Sequence, residues 1–120
     1  MSAVGGGASG GSFPWARRVL ASRSVPNVEH GDFEWDNAKA LANERKHGVT
    51  FVEAATVFED VDYLVNVDPI DPSRFIAVGF SAVARVLVVV HAMRIERIRI
   101  ISARRATILE ERFYGERRGR

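Results

Sequence analysis

The sequence predicts an α+β domain in which two N-terminal helices pack on a four- to five-stranded antiparallel sheet and a C-terminal helix closes the chain. Three observations carry this. Helix caps and stops cluster between Asp36 and Phe58, the apolar spacing changes from helical to alternating beyond Asp60, and the alternating segments are joined by connections of hairpin length.

Composition fits that class. The chain has 120 residues, room for one ordinary core. Its longest apolar string, VLVVV from Val86, is strand-sized and far short of a membrane span, so no membrane partner is expected. The chain contains no cysteine, which removes disulfides, thiolate nucleophiles and Cys-based metal sites, and suits a cytoplasmic location. Net charge is only +2, but it is unevenly laid out. Six acids and no Lys or Arg lie between Phe51 and Ser73, whereas Arg94 to Arg120 holds nine arginines against four glutamates. A basic end of this kind points toward nucleic acid.

Residues 1–31 open with GGGASGGS, flexible linker chemistry, and show no sustained period; they read as a disordered extension. The domain is expected over 32–115, followed by a basic tail at 116–120. Phe33, Glu34 and Trp35 form a short strand, and Asp36 then caps a helix that runs to His47, where Gly48 stops it. Ala38, Leu41, Ala42 and Arg45 lie on one stripe of this helix. Thr50 opens a second helix with Glu53 three residues on, a capping-box pattern, and Phe51, Ala54, Ala55 and Phe58 form its inner face. Strands are predicted at about 62–67, 74–80, 85–91 and 96–102, and a last helix from Ala106 to Tyr114. Val86 to Val90, apolar on both faces, belongs at the sheet centre.

One chemistry open to this inventory of arginines and histidines is the cutting of RNA without a metal, which needs a base for the ribose 2′-OH, an acid for the leaving 5′-oxygen, and cations for the phosphorane charge. Arginine binds phosphate oxygens with a two-pronged, permanently charged fork, and histidine titrates near working pH. His47, Arg85, His91 and Arg99 are the catalytic candidates; Lys39, Lys46, Arg94, Arg97, Arg104 and Arg105 are the RNA-binding candidates. Side chains 85, 87, 89 and 91 share one face of their strand, as do 97 and 99 of the next. If those faces coincide across the hairpin, the sheet carries a cationic groove with one histidine in it; a slip of one residue puts them on opposite sides. Each candidate also has a structural role open to it. His47 can complement the helix dipole, His91 can be a core residue, Lys39 and Lys46 a solvated helix face, and Arg99 and Arg104 can pair with acids such as Glu110 and Glu111. The acids at 59, 60, 62 and 68 lack a metal-ligand spacing and read as solvated turns. Neither a metal nor a cofactor is expected.

FEWDNAKALANERKHGVTFVEAATVFED, then RFIAVGFS, ARVLVVV and IRIISARRAT with a downstream Glu and Tyr, resembles the BrnT family of type II toxin components from Phe33 to Tyr114. KHGV and ISARRAT are the most specific portions. The resemblance implies a RelE-like fold, an endoribonuclease that arrests translation, and a ribbon-helix-helix antitoxin that neutralises it and binds operator DNA, which the toxin reaches only through that complex. A non-catalytic RNA- or protein-binding module of the same fold is the alternative. The chain departs from the family pattern at Ala84, where a Gly is common, and at Ala92-Met-Arg-Ile95, where a Gly-containing turn is common.

Overall fold

A computed structural model describes residues 27–118. In chain order these form β1 (Asn27–His30), β2 (Phe33–Asp36), α1 (Asn37–His47), α2 (Phe51–Ala55), a 3₁₀ turn (Thr56–Glu59), β3 (Leu64–Val67), β4 (Phe75–Phe80), β5 (Val86–Met93), β6 (Ile98–Arg105) and α3 (Ile108–Arg118). The α+β class holds, but the sheet has six strands and is mixed, in the order β1-β2-β6-β5-β4-β3. Strands β3 to β6 form the expected antiparallel meander, and β2 pairs parallel to β6. That contact joins segments more than sixty residues apart, so no turn announces it. The sixth strand, β1, lies within the segment expected to be disordered: Asn27–His30 pairs antiparallel with Phe33–Asp36 across a turn with Gly31 at φ 60°. The remainder of that segment lies outside the described residues. Residues 116–118 of the expected tail continue α3.

The helix ends follow from their caps. Asp36 accepts a hydrogen bond from the Lys39 amide at 3.1 Å, and Gly48 sits at φ 69° with its N–H bonded to the Glu44 carbonyl at 2.8 Å. The Thr50 hydroxyl accepts from the Glu53 amide, but the Glu53 side chain does not return to complete a capping box; it turns toward Arg85.

One sheet face is covered by α1, α2 and the 3₁₀ turn. Trp35, Phe51, Ala54, Ala55, Val57, Ala77, Leu87, Val89, Ile100 and Ala103 form the core there. The inner face of α2 is as predicted, but α1 is rotated. Ala38, Leu41, Ala42 and Arg45 are exposed, and Ala40, Asn43 and His47 turn inward. Strand β2 ends at Asp36, so the outer edge of β6 has no strand neighbour at Ala103. Asn43 takes the strand's place. Its side-chain nitrogen donates to the Ala103 carbonyl at 2.8 Å, its side-chain oxygen accepts from the Ala103 amide at 3.1 Å, and the same nitrogen donates to the Val49 carbonyl at 3.0 Å. A buried asparagine thus completes the ladder that hydrophobic patterning alone would leave open.

Candidate active site

The register between β5 and β6 decides which cations meet. Val90 pairs with Ser102 and His91 with Ile100, so Ile101 is an extra residue, a β-bulge. Without it Arg99 would stand opposite Met93, on the face of Arg85, Leu87, Val89 and His91. With it Arg99 stands opposite Ala92, on the other face. The expected groove joining Arg85, His91 and Arg99 is therefore not formed.

His91 is a core residue, 3% exposed. Its ring meets the Phe58 ring edge-on at 4.9 Å and stacks on Phe75 at 5.8 Å, with Nδ1 3.3 Å from the Val89 carbonyl. Burial pushes its pKa down, which keeps the ring neutral.

Most arginines of the open face are held by carboxylates. Arg99 donates to Glu34 and to the Asn27 side chain, both at 2.8 Å, tying β6 to β1 and β2. Arg97 reaches Glu29 at 3.4 Å and the Gly31 carbonyl at 3.2 Å. Arg104 forks onto Glu110 of α3 at 2.8 and 2.9 Å, the structural pairing open to it in the sequence. Arg94 is exposed in the β5–β6 turn, and Lys39 and Lys46 are exposed on α1.

Arg85 and Arg105 come together at a different place, the rim where the β4–β5 turn, the end of α1 and α3 meet. The turn is pinned to α2. The Ser81 hydroxyl donates to Glu53 at 2.7 Å, and the Ala82 amide donates to Thr56 at 2.8 Å. Ala84 closes the turn at φ 62°, a conformation that suits glycine better than alanine. Arg85 follows, and its guanidinium grips Glu53 through Nε and Nη2 at 2.8 and 2.7 Å while Nη2 also reaches the Gly48 carbonyl at 2.8 Å. The Arg85 hydrogen bonds outweigh burial and hold the Glu53 carboxyl below its ordinary range. The grip puts Arg85 beside the KHGV segment, one residue from the half-exposed His47. Arg105 lies opposite Leu87 in the register, on the Arg85 face, and adds to the field that keeps Glu53 ionised.

A cleft of about 320 Å³ opens beside this pair, lined by Arg85, Arg105 and Arg118, by Phe80 and Tyr114, and by Glu111 and Gly115 of α3. Helix α3 is fixed over it by polar tips. Tyr114 is buried and its hydroxyl donates to Asp60, which also accepts from the Phe80 amide at 2.8 Å and the Asp62 amide at 3.0 Å. Burial would raise the Asp60 carboxyl, but these bonds prevail and lower it. Burial and the Asp60 carboxylate together push the Tyr114 phenol up to about 12, so it stays a donor. Strand β4 passes so close to this hub that a Cβ on Gly79 would lie 2.9 Å from the Tyr63 Cβ and 3.1 Å from Asp60. Sequence reasoning named Arg85, Arg105 and His47 as candidates and did not foresee Glu53 as the partner of Arg85, the Asp60–Tyr114 hub or the cleft. The one signal for the hub is a lone tyrosine in α3, a residue whose hydroxyl needs a partner when its ring is buried.

Among the described residues no group of three or more His, Asp or Glu side chains could hold a metal ion, and no helix is long and apolar enough to cross a membrane.

Comparison with curated proteins finds no match. The fold is similar to that of a solved structure, the ribonuclease toxin BrnT of Brucella abortus, with a TM-score of 0.50 and 24% identity over 61% of this chain and 92% of that one. At that identity the likeness speaks for the fold. Residues 35–110, well over half of the chain, match the sequence family described as the ribonuclease toxin, BrnT, of type II toxin-antitoxin systems, and the chain belongs to that family.

Proposed function

We propose that the chain is a metal-independent endoribonuclease that arrests translation, cutting RNA at the rim between α1, the β4–β5 turn and α3. The observation that carries this is the convergence of Arg85 and Arg105 beside His47, because it joins the two most specific segments, KHGV and ISARRAT, at one cationic edge. Arg85 has its Nε and Nη2 committed to Glu53 and Gly48, which fixes the plane of the fork and leaves Nη1 outside those bonds as a preorganised phosphate donor. Arg105 supplies the second charge. His47, next in sequence to the Gly48 that Arg85 holds, and Glu111, in the cleft wall, are the proton carriers for attack of the 2′-OH and departure of the 5′-oxygen. Lys46 extends the positive rim along the RNA backbone, where contacts are screened by salt.

Membership in a type II family implies an antitoxin partner and an RNA target. A ribbon-helix-helix antitoxin would neutralise the toxin by covering the cleft, with the exposed Ile108, Leu109 and Phe113 on the outer side of α3 as an apolar anchor. Operator DNA would be reached through that complex.

The test is cleavage of RNA by the purified chain in EDTA. The expected products carry 2′,3′-cyclic phosphate or 3′-phosphate ends, and Arg105→Ala slows their formation. Activity abolished by EDTA and restored by magnesium would overturn the metal-independent reading.

A further inference from the structure

The cleft beside the Arg85–Arg105 rim has more in it than phosphate binding requires. Phe80 and Tyr114 meet edge to face at 5.6 Å, and the flat guanidinium of Arg118 lies over both, 5.0 Å from the Phe80 centroid and 5.5 Å from that of Tyr114. An aromatic face covered by a planar cation at stacking range is a face that a nucleobase can take instead. Arg118 is held there loosely. Its ion pair with Asp62 spans 3.7 Å and both side chains are 40% exposed, so displacing it costs little.

Gly115 is the second, independent sign. It stands three residues before the end of α3, where glycine is still a weaker helix former than alanine. No left-handed backbone requires it, and a Cβ built there meets nothing within 4 Å. Close packing therefore does not explain the residue either. Gly115 is one of the residues that line the cleft, and without a side chain it adds no bulk to that wall. The cleft volume, about 320 Å³, lies at the lower end of the range of small-ligand sites.

Resting on the reading of the chain as an RNA-cleaving toxin, we propose that this cleft is a nucleotide subsite: one unpaired base of single-stranded RNA stacks on Phe80 in the place of the Arg118 guanidinium, and Gly115 keeps the space open. The displaced Arg118 swings toward the backbone and joins Arg85 and Arg105 around the adjoining phosphate. Tyr114 stays bonded to Asp60 and serves as the fixed side wall, so the subsite is formed before RNA arrives.

The experiment uses the full chain and a 2′-O-methyl hexaribonucleotide that cannot be cleaved by 2′-OH attack, carrying one 2-aminopurine moved through the six positions. Wild-type protein is expected to bind it and to quench the fluorophore strongly at one position. Phe80→Leu should weaken binding about 5- to 100-fold and abolish the quench, the scale of a lost base–aromatic stack. Gly115→Met should weaken binding at least about 10-fold while melting no lower than wild type. If Gly115→Met fails to fold, the quench and Phe80→Leu decide the matter alone. Absence of binding or of a position-specific quench overturns the subsite, as does unchanged binding in both variants. Wild-type protein that binds and quenches yet leaves unmodified RNA intact overturns the ribonuclease reading alone. Protein that cleaves RNA in EDTA with Phe80→Leu and Gly115→Met both indistinguishable from wild type overturns the subsite alone.

Discussion

Replacing Asn43 by alanine removes the side chain that, among the described residues, closes the outer edge of β6 at Ala103. Three hydrogen bonds are lost, to the Ala103 carbonyl, the Ala103 amide and the Val49 carbonyl, all in a buried setting. A net hydrogen bond contributes about 1 kcal/mol, and a buried group left without a partner costs about 1–3 kcal/mol. A loss of about 3–4 kcal/mol follows, a large share of the roughly 5–15 kcal/mol that stabilises a domain. At about 4–8 °C per kcal/mol for a domain of this size, Asn43→Ala should lower the melting temperature by roughly 12–32 °C in far-UV circular dichroism. Asn43→Asp should do at least as much harm, because it keeps the acceptor for the Ala103 amide but sets a carboxylate against two carbonyls. An Asn43→Ala protein that melts within about 3 °C of wild type, a margin far below one lost bond per partner, would refute the reasoning and return Asn43 to the surface.

Arg99→Ala should lower the melting temperature by about 4–8 °C, the equivalent of about 1 kcal/mol, and leave RNA cleavage below that temperature unchanged, since Arg99 holds Glu34 and Asn27 on the face away from the rim. Ala84→Gly should raise the melting temperature by a few degrees, roughly 0.5–1 kcal/mol, because it relieves a left-handed φ of 62° at the β4–β5 turn; a lower melting temperature would contradict this. Arg104 holds the Glu110 carboxyl down at about 2 against an ordinary 4.5, so its contribution is complete above about pH 4.5 and lost as pH falls toward 2. Glu110→Gln should therefore lower the melting temperature above about pH 4.5 and flatten its decline as pH falls toward 2. His47→Gln should slow cleavage by about 10²-fold or more at unchanged melting temperature if the imidazole moves a proton; a lowered melting temperature at normal rate assigns it to the helix end.

The parts of the fold that were legible in the sequence are those fixed by a side chain and its own neighbourhood. Asp36, Gly48 and Thr50 act on backbone groups within four residues, so their types and spacing suffice to place α1 and α2. The alternation in β4, β5 and β6 was equally local. The rotation of α1 was not, because its inner face is chosen by a gap in the sheet sixty residues away that only Asn43 fills, while Leu41 is left 49% exposed. The sorting of arginines failed for one reason, the extra residue Ile101, which turns Arg99 over to the other face. Period-two reasoning assumes an unbroken ladder, and nothing in IRIISARRAT marks the break.

That single residue also explains why a chain so rich in arginine near its end does not present one large basic surface. On the open face Arg97, Arg99 and Arg104 each stand against a glutamate, so their charge is spent joining β6 to β1, β2 and α3. On the covered face Arg85 also meets a glutamate, but there the pairing has a different geometry. Glu53 and the Gly48 carbonyl occupy two of the three nitrogens and set the guanidinium plane, and Arg105 stands on the same face with no carboxylate within ion-pair distance among the described residues. A rigid arginine beside an uncommitted one is what a phosphate site requires: the first costs little to reorganise, and the second brings net charge. The charge that matters for RNA is thus decided by pairing rather than by count, and the rim near His47 is where the pairing leaves a surplus.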